Sequence, residues 1–467
     1  MNNLNFSAGS IEICNTLIEA GFEAAIVGGA TRDAWYGLTP HDEDIATSAT
    51  PDQVRSVFGE ERVRSEPRGE SHGKVLVSTP RRLNWVKWYE VTMFRKDVAT
   101  DGRHAHIAPG TLQDDLARRD FTVNALAYVP PKTGIAGRLI TAGDHTLKDL
   151  HNKVIRFQGD PDTRIREDVL RIARAPRMRV LIEGKYEDQT QRALMWAAAF
   201  PNLWPGILSW ERIGDELLKS LRHPRAWQIM DDWQHLGLFF RTIPALYLAA
   251  HQPQNEHHGG LTVFQHIIEV LKMSQDVLPE SSLIDPGVYR LALLLHDAGK
   301  PAVAELKEDG VNYRFHKHED VGEGIAAEAC RALKLPNSTT EMVSFIVREH
   351  MDVPNENFTD KATRRWIRRV GLDKVGILVL VRNADWLANG RTERIPQLEA
   401  AMVQIKAILT ESPPVKLAVN GDDVMAVLNI KPSKRVGEVL KVVEEIVDTH
   451  PDLNDRELLL RIVGLLK

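Results

Sequence analysis

Cysteine is scarce in this 467-residue chain, which contains only Cys14 and Cys330. The two are far apart and form no CxxC pair, so a disulfide scaffold is excluded and a reducing compartment is indicated. The N-terminus lacks the basic and apolar pattern of a signal peptide, and no apolar run approaches the ~20 residues of a membrane helix. The sequence therefore predicts a soluble cytoplasmic protein with no membrane partner.

A net positive charge is also lacking, because the formal charge is −5. No global basic field indicates a nucleic-acid partner, although a local basic stripe can serve the same purpose. The chain is 43% hydrophobic and 26% charged, which is ordinary for a globular protein of about three domains.

Strand patterns are confined to the first third of the chain. Apolar or β-rich runs at 24–27, 43–47, 74–78 and 85–94 predict strands, and residues 30–37 predict a short helix. Helical periodicity then dominates, in the segments 163–180, 187–199, 209–221, 263–277, 288–296, 321–334 and 339–350. The predicted fold class is α+β, with a mixed head followed by a long helical body. The predicted domains are 1–150, 151–255, 256–400 and 401–467, with boundaries indicated by the stretches at 251–260 and 412–414.

Two aspartates stand beside a glycine turn. Asp42 and Asp44 lie two apart in HDEDIAT, and on a strand such residues share one face, where they can bind magnesium. Upstream, VGGATRD places Gly28 and Gly29 where a strand turns into a helix that carries Arg32, a position suited to a triphosphate. Each motif alone is more often structural, but the two together favour a site for a metal and a phosphate.

A more specific string runs from Asp114 to Ala125. It contains the adjacent Arg118 and Arg119, which suit a phosphate or a base edge, and Asp120. Asn124 adds a hydrogen-bonding group suited to a ribose. A charged helix start explains Arg118 alone but not the whole string.

The segment 166–174, REDVLRIAR, carries a third pattern. Asp168, Arg171 and Arg174 recur at three-residue steps, so they are predicted to share one helix face. A carboxylate can accept from a base amino group and a guanidinium can donate to ring acceptors, which would select a nucleotide without a template. A surface ion pair is an equally good interpretation of this segment by itself.

In this order and spacing, VGGATRD, HDEDIAT, RRDFTVNA and EDVLRIAR resemble the class II tRNA nucleotidyltransferases, the CCA-adding enzymes related to bacterial poly(A) polymerases. The resemblance implies a polymerase-β-like nucleotidyltransferase head followed by helical neck, body and tail. It implies catalytic magnesium at Asp42 and Asp44, with Glu90 as a candidate third carboxylate. It also implies tRNA as partner, and CTP and ATP as substrates read by Asp168 and Arg171. Residues 97–113 match the segment that the family links to the switch from C to A addition.

Two positions depart from the family pattern. Glu43 stands where an apolar residue is usual, and strand alternation predicts that it points to the opposite face and needs a partner. Pro176 interrupts a stretch that is usually unbroken, which predicts a kink or an end of the helix there.

The second half of the chain contains a histidine and aspartate constellation. His296 and Asp297 are adjacent in LALLLHDAGK, after an apolar run. Such ligands suit magnesium or a transition metal, which can acidify a bound water. One histidine on an apolar helix is more often structural, but the adjacent pair with several downstream partners favours a metal site. The remaining candidates are His266, His318, His350 and Asp385.

This pattern resembles the HD phosphohydrolase superfamily over roughly residues 258–390. The resemblance implies His266, His296, Asp297 and Asp385 as core ligands, with His318 and His350 completing a two-metal version. His258 lies at a spacing found in CCA-adding enzymes with an HD domain. That group is linked to 2′,3′-cyclic phosphodiesterase and phosphatase activity, with magnesium, manganese, nickel or iron as the metal.

Three functions remain open. The first is CCA addition to tRNA by an enzyme with an HD phosphohydrolase domain. The second is poly(A) polymerase, which the HD constellation and a family-like tail at 415–445 disfavour. The third is a bifunctional enzyme that adds and removes nucleotidyl groups on a regulatory protein. The sequence does not distinguish full from partial CCA addition, and it does not indicate the oligomeric state.

Overall fold

The computed structural model describes residues 4–65, 73–79, 86–100, 105–132, 136–255, 260–277, 284–354, 358–391, 394–411 and 417–466. The chain forms two compact units. The first comprises Met1–Leu217 and Gln228–Thr242, and the second comprises Leu218–Trp227 and Ile243–Lys467. Most strands belong to the first unit and the second is almost entirely helical, which confirms the predicted α+β head and helical body.

The strands in chain order are β1 Ala24–Val27, β2 Ile45–Thr47, β3 Val63–Arg64, β4 Lys74–Ser78, β5 Trp88–Met93, β6 Arg95–Thr100, β7 Ala105–Pro109, β8 Leu126–Val129, β9 Arg138–Thr141, β10 Val154–Ile155, β11 Lys185–Tyr186, β12 Glu305–Leu306 and β13 Tyr313–Arg314. Seven of them form one mixed sheet in the order β3-β4-β5-β2-β1-β8-β9. Within it, β2 and β5 are parallel, and the other neighbouring strands are antiparallel. This parallel pair places the starts of two distant strands side by side.

The helices of the first half are α1 Ala8–Glu19, α2 Gly29–Trp35, α3 Pro51–Phe58, α4 Leu112–Ala117, α5 Asp144–Asn152, α6 Pro161–Glu167, α7 Arg171–Leu181, α8 Asp188–Ala199, α9 Trp210–Arg222, α10 Ala226–His235, α11 Phe239–Thr242 and α12 Pro244–Ala249. Those of the second half are α13 Val263–Val277, α14 Pro286–Leu295, α15 His318–Ala332, α16 Asn337–Glu349, α17 Asp360–Val370, α18 Leu372–Ala388, α19 Ile395–Glu411, α20 Gly421–Leu428, α21 Lys434–Thr449 and α22 Arg456–Leu465. Short 3-10 helices lie at Thr122–Asn124, Lys300–Val303 and Pro451–Leu453.

Both faces of the central strand β1 are covered. Its side chains alternate between a cluster shared with α1 and α3, which includes Ile26, and a cluster shared with α4, which includes Val27. A strand buried on both faces is apolar throughout, and this explains the unbroken run Ala24–Val27. The strand–glycine–helix arrangement predicted at this point is confirmed.

The predicted helix at 163–180 is interrupted. The structure has α6 and α7 in its place, with Asp168 between them in an extended conformation (φ −150°, ψ 100°). The carboxylate of Asp168 accepts a hydrogen bond from the backbone N–H of Leu170 at 3.2 Å, and such a local bond competes with helix continuation. The helix does not end at Pro176, one of the two predicted outcomes there, because α7 continues through Pro176 to Leu181.

The remaining helix predictions agree with the structure to within about three residues at each end, as is usual for helix termini. The predicted strand at 43–47 begins only at Ile45. Part of the 97–113 segment forms the β6–β7 hairpin, whereas residues 101–104 lie outside the described residues. The boundary stretch 412–414 and His258 also lie outside them. Among the described helices, none combines the length and apolarity that crossing a bilayer requires.

Candidate active site and metal centre

The turn between β1 and α2 brings the backbone close to an arginine. Gly28 has a φ of +69°, which side chains rarely adopt, and a Cβ there would lie 2.3 Å from Nη1 of Arg119. The positive φ favours glycine at this position, and a side chain there would also displace the guanidinium of Arg119. The N–H of Gly28 donates to the carbonyl of Leu126 at 3.0 Å, so the sheet itself fixes the turn.

Three carboxylates gather beside this turn. In the parallel pair of β2 and β5, Ile45 lies opposite Val91, so Asp44, the residue before β2, and Glu90, within β5, are neighbours. Asp42 lies in a bend, so neither aspartate lies on a strand as predicted. The side chains of Asp42 and Asp44 are nevertheless both exposed.

Glu43, between the two aspartates, points into the protein. Its side chain is 5% exposed. Its carboxylate accepts hydrogen bonds from the backbone N–H of Ser7 at 2.9 Å and from the hydroxyl of the same residue. The carbonyl of Asp44 accepts from the N–H of Val27 at 2.9 Å and ends the ladder there. The predicted reversal of Glu43 and its need for a partner are thus confirmed, with Ser7 as the partner.

The carboxylate cluster is electrostatically strained. Although Asp44 is exposed to solvent, desolvation by the surrounding atoms raises the pKa of its carboxyl to about 6, and the Glu90 and Asp42 carboxylates contribute to that rise against the opposing charges of Arg119 and Lys74. Nζ of Lys74 lies 2.6 Å from Oε2 of Glu90. Carboxylates held this close favour a bound cation, and magnesium prefers oxygen ligands of this kind. The donor set therefore fits magnesium.

The structure separates the two adjacent arginines. Nη2 of Arg119 lies 3.1 Å from Oδ2 of Asp115, and its Nη1 faces Gly28. The carbonyl of Arg118 accepts from Arg171, and the guanidinium of Arg118 lies 3.8 Å from Asp115. The adjacent arginines were the available signal, but only the end of α4 decides which of them faces the turn. A phosphate-binding role for Arg118 stays a prediction.

Four predicted nucleotide-binding residues form one hydrogen-bonded chain. Nη1 of Arg32 donates to Oδ1 of Asn124 at 2.6 Å, and Nδ2 of Asn124 donates to Oδ1 of Asp120 at 3.1 Å. Oδ2 of Asp120 then accepts from Nη1 of Arg174 at 3.0 Å. Burial works to raise the pKa of Asp120, but Arg174 and Asn124 outweigh it and lower that pKa to about 2. These hydrogen bonds therefore keep the carboxylate of Asp120 ionised.

Asp168 does not share a helix face with Arg171 and Arg174, contrary to the sequence prediction. It precedes α7, and both of its oxygens accept from Nη2 of Arg212 at 2.9 Å. Arg212 belongs to α9, 44 residues further along the chain. The extended backbone at Asp168 directs its carboxylate to that helix, a contact that three-residue periodicity does not predict.

Arg171 is the first residue of α7 and is almost completely buried. Its guanidinium donates to Oε2 of Glu167 at 2.9 Å, to the carbonyl of Arg164 at 2.7 Å and to the carbonyl of Arg118 at 3.1 Å. Asp168 and Arg171 are thus close in the chain, and each has protein partners in this structure. A base that bound them would have to exchange those contacts for its own.

The histidine and aspartate candidates of the second unit meet around one carboxylate. Oδ2 of Asp297 lies 3.5 Å from Nε2 of His266 and 3.3 Å from Nε2 of His296. Its Oδ1 lies 3.2 Å from Nε2 of His318 and 3.9 Å from Nε2 of His350. The six predicted ligands form two triads whose ligand atoms lie within 4.8 Å of one another: His266, His296 and Asp385, and Asp297, His318 and His350.

Five elements supply these ligands, and the local backbone orients the imidazoles. His266 lies on α13, and Asp385 on α18. Nδ1 of His296, His318 and His350 each faces a carbonyl three residues earlier, at 2.7, 2.9 and 2.6 Å. An Nδ1–H donated in this way leaves the Nε2 lone pair for a metal. His296 and His350 directly follow the last residues of α14 and α16, where such carbonyls are available. His318 is the first residue of α15.

The charge state of the centre suits a cation. Burial and the neighbouring His296 lower the pKa of His350 to about 3, so its imidazole is neutral. Burial opposes ionisation of Asp297, but His296 and Lys300 hold its pKa well below the usual range. Nε2 of His296 is buried, and apart from its 3.3 Å contact with Oδ2 of Asp297 it has no hydrogen-bond partner among the described residues. Four imidazoles with two carboxylates form a donor set that fits a divalent transition metal.

Comparison with known proteins assigns the carboxylate cluster and the histidine and aspartate centre to two different domains. Residues 24–156 match the family model described as the poly A polymerase head domain, and residues 263–390 match that of the HD domain. Nucleotidyltransferase and HD domains generally use divalent metals.

Two curated relatives align along most of the chain. The A-adding tRNA nucleotidyltransferase of Deinococcus radiodurans is 31% identical over 437 residues, which cover 90% of this chain and 91% of the relative. The CC-adding tRNA nucleotidyltransferase of Thermus thermophilus is 28% identical, covering 91% and 89%. The crystal structure of the Bacillus stearothermophilus CCA-adding enzyme in complex with CTP superposes with a TM-score of 0.67 at 25% identity, over 98% of this chain and 96% of that one.

Proposed function

The chain belongs to the tRNA nucleotidyltransferases that have a poly A polymerase head domain, and we propose that it adds C, C and A to the 3′ end of tRNA from CTP and ATP without a template. The observation that carries this proposal is the cluster of Asp42, Asp44 and Glu90 beside the Gly28 turn. The parallel pair of β2 and β5 builds it from residues 46 positions apart, 44 and 90. Such a cluster beside a glycine turn is suited to phosphoryl chemistry.

In the proposed reaction the tRNA 3′-hydroxyl loses its proton to solvent as its oxygen bonds to the α-phosphorus of the nucleotide. The bond from the α-phosphorus to the bridging oxygen breaks, and pyrophosphate leaves with that oxygen. Asp42 and Asp44 would hold magnesium, which supplies positive charge against the triphosphate. Glu90 completes the acidic cluster. Arg119 and the N–H groups around Gly28 and Gly29 would position the leaving phosphates.

Nucleotide selection is proposed to depend on Asp168 and Arg171. Asp168 can accept from a base amino group and Arg171 can donate to a ring acceptor, as the family resemblance implies. Arg212 binds the carboxylate of Asp168 and the carbonyl of Arg118 accepts from Arg171, so a base that binds these groups would have to replace those contacts. The hydrogen-bonded side chains of Arg32 and Asn124 would hold the sugar and the phosphates while the base is bound.

Partial addition is the second candidate function. It is favoured by the two relatives that align along most of the chain, which are named A-adding and CC-adding. The segment at 97–113, part of which forms the β6–β7 hairpin, is where the family resemblance locates the switch from C to A.

For the second unit we propose a metal-dependent phosphohydrolase that opens a terminal 2′,3′-cyclic phosphate and removes the resulting monophosphate. In the first step water adds to phosphorus, one ester bond breaks and the released ribose oxygen takes a proton. A divalent metal held by the two triads would polarise the phosphate ester. The imidazole-rich donor set favours nickel or iron over magnesium and manganese at this centre. Lys300, whose Nζ lies 2.6 Å from Oδ2 of Asp297, stabilises the shared carboxylate.

Primer extension tests the transferase proposal. tRNA without its terminal CCA is incubated with magnesium and CTP, ATP or both, and the products are sequenced. Addition of C, C and A followed by a stop is expected. Addition of A only to tRNA that ends in CC, or of C residues only, would establish partial addition. A long A tract would indicate poly(A) polymerase, and no incorporation would favour the protein-modifying alternative.

A further inference from the structure

A hydrogen-bonded network lies directly behind the carboxylate cluster of the head. The carboxylate of Glu43 accepts from the backbone N–H of Ser7 at 2.9 Å and from the hydroxyl of the same residue. Oγ of Ser7 lies 2.9 Å from the hydroxyl oxygen of Tyr89. Because the single hydroxyl proton of Ser7 goes to the carboxylate, the hydroxyl of Tyr89 must donate to Ser7. Glu43 and Tyr89 are 5% and 2% exposed, so both ends of the network are shielded from water.

The pairing of the strands places this network opposite the proposed magnesium ligands. The parallel pair of β2 and β5 relates Asp44 to Glu90. Followed one residue further back, the same pairing relates Glu43 to Tyr89. The first pair is at least partly exposed to solvent, and the second pair is buried. Ser7 hydrogen-bonds to both members of the buried pair, so it constrains the distance between the two segments that carry the exposed pair.

The network is anchored at the start of α1. Oγ of Ser7 accepts from the N–H of Ser10 at 3.3 Å and caps this helix, whose buried residues pack against β1 in the core of the head. Gly9, in the first turn of α1, lies so close to Tyr89 that a Cβ there would collide with the tyrosine hydroxyl. The network therefore joins an element of the core to both segments that carry the carboxylates.

Such hydrogen bonds constrain the backbone more tightly than apolar packing does. Bonds to a carboxylate are short and directional, whereas an apolar side chain at position 43 would fill the space without fixing an angle. The constraint matters because Asp44 and Glu90 repel each other when no cation lies between them. Magnesium demands near-ideal octahedral geometry, so ligands that drift apart bind it less tightly.

We propose that the Ser7–Glu43–Tyr89 network holds the proposed magnesium ligands of the head at the spacing that the ion requires. Glu43 is then a positioning residue, which points into the protein and acts through the aspartates on either side of it in the chain. Tyr89 acts in the same way on Glu90, the next residue of β5. The inference rests on the proposed nucleotidyl transfer, and it adds to that reaction residues whose side chains face away from the magnesium site.

Nucleotide binding without a primer tests this inference apart from turnover. CTP is titrated by calorimetry into the full-length protein, with magnesium and again with EDTA in its place. Glu43→Gln, which keeps the size of the side chain, is expected to raise the Kd about tenfold in magnesium, the effect of weakening one charge-assisted hydrogen bond. In EDTA its Kd is expected to equal that of the wild type. Glu19→Gln, at the exposed end of α1, is the matched control and is expected to change neither value.

Tyr89→Phe tests the other end of the network. It removes one hydroxyl and is expected to raise the Kd in magnesium by a smaller factor, again with no change in EDTA. A folded Glu43→Gln variant that binds CTP in magnesium as the wild type does would overturn the inference, and Tyr89→Phe decides in the same way if Glu43→Gln does not fold. Equal rises with and without magnesium would also overturn it, because a merely structural role would weaken both.

Primer extension at varied magnesium concentration separates the inference from the transferase proposal. Glu43→Gln is expected to need about ten times more magnesium for half-maximal incorporation and to approach the wild-type rate at saturation. A loss of rate that magnesium does not restore would count against the positioning role. A wild type that binds CTP with magnesium but incorporates no nucleotide would overturn the transferase proposal, whereas a magnesium-dependent difference in CTP binding would still support the network.

Discussion

At the scale of single residues, the carboxylate of Asp44 gives the most direct test of the proposed magnesium site. Asp44→Asn should lower nucleotide incorporation at least about 10³-fold, since it removes a proposed metal ligand. The same change should leave the melting temperature unchanged or raise it, because the Glu90 and Asp42 carboxylates repel Asp44 in the folded protein. Primer extension and thermal unfolding measure the two effects. Asp52→Asn, an exposed site on α3, is the control, and a large fall in melting temperature would contradict the electrostatic argument.

The two adjacent arginines give a second prediction at this scale. Arg119→Ala should raise the KM for nucleotide about tenfold, because the lost guanidinium faces the Gly28 turn. Arg118→Ala should cost less, since the described contact of Arg118 with Arg171 uses its main-chain carbonyl. Steady-state kinetics of both variants on one tRNA primer decide between them. A larger effect at Arg118 would contradict the role proposed for Arg119.

At the scale of elements, the break between α6 and α7 determines how a base could be read. Arg171 joins the start of α7 to α6 and to the carbonyl of Arg118. Arg171→Ala should reduce discrimination between CTP and ATP about tenfold, the value of one good base contact. The ratio of kcat/KM values for the two nucleotides, on primers lacking CCA or only A, measures this. Unchanged discrimination in a variant that still incorporates nucleotide would rule out protein-based selection by this residue.

At the scale of the whole molecule, the two sites lie in different compact units. Asp42→Ala should therefore abolish incorporation and spare phosphohydrolase activity, and Asp297→Ala should do the reverse. Both activities are assayed on the same preparations, with circular dichroism to confirm folding. Loss of both activities from one folded variant would contradict the two-site arrangement.

Metal binding gives another prediction at this scale. Manganese or nickel at about 100 times its Kd should stabilise the folded protein by about 2.7 kcal/mol, because the assembled triads exist only in the folded state. Calorimetric unfolding with metal and with chelator measures the difference. His296→Ala should remove most of it, because the buried Nε2 of His296 has no hydrogen-bond partner among the described residues apart from its contact with Asp297. An equal metal-dependent stabilisation in this variant would show that the metal binds elsewhere.

The sequence by itself determined the local structure and the types of chemistry. The turn between β1 and α2 was predicted from an apolar run, a glycine pair and the helix-forming residues after it. Helices such as α13 were predicted from hydrophobic periodicity. Both patterns reflect contacts between residues a few positions apart. The family motifs similarly indicated the carboxylates, the RRDFTVNA string and the HD ligands as candidate site residues. Even Glu43 could be placed on the inner face, since strand alternation is a local property.

Only the tertiary structure decided which groups meet. The register of β2 against β5 sets Asp44 beside Glu90, and the fold brings Asp168 to Arg212 and gathers ligands from five elements around Asp297. It also set Arg119, and not Arg118, against the Gly28 turn, and it broke the helix that periodicity had predicted through Asp168. The physical reason is that these contacts join residues far apart in sequence, whose approach depends on the packing of the whole unit and not on the preferences of any one segment.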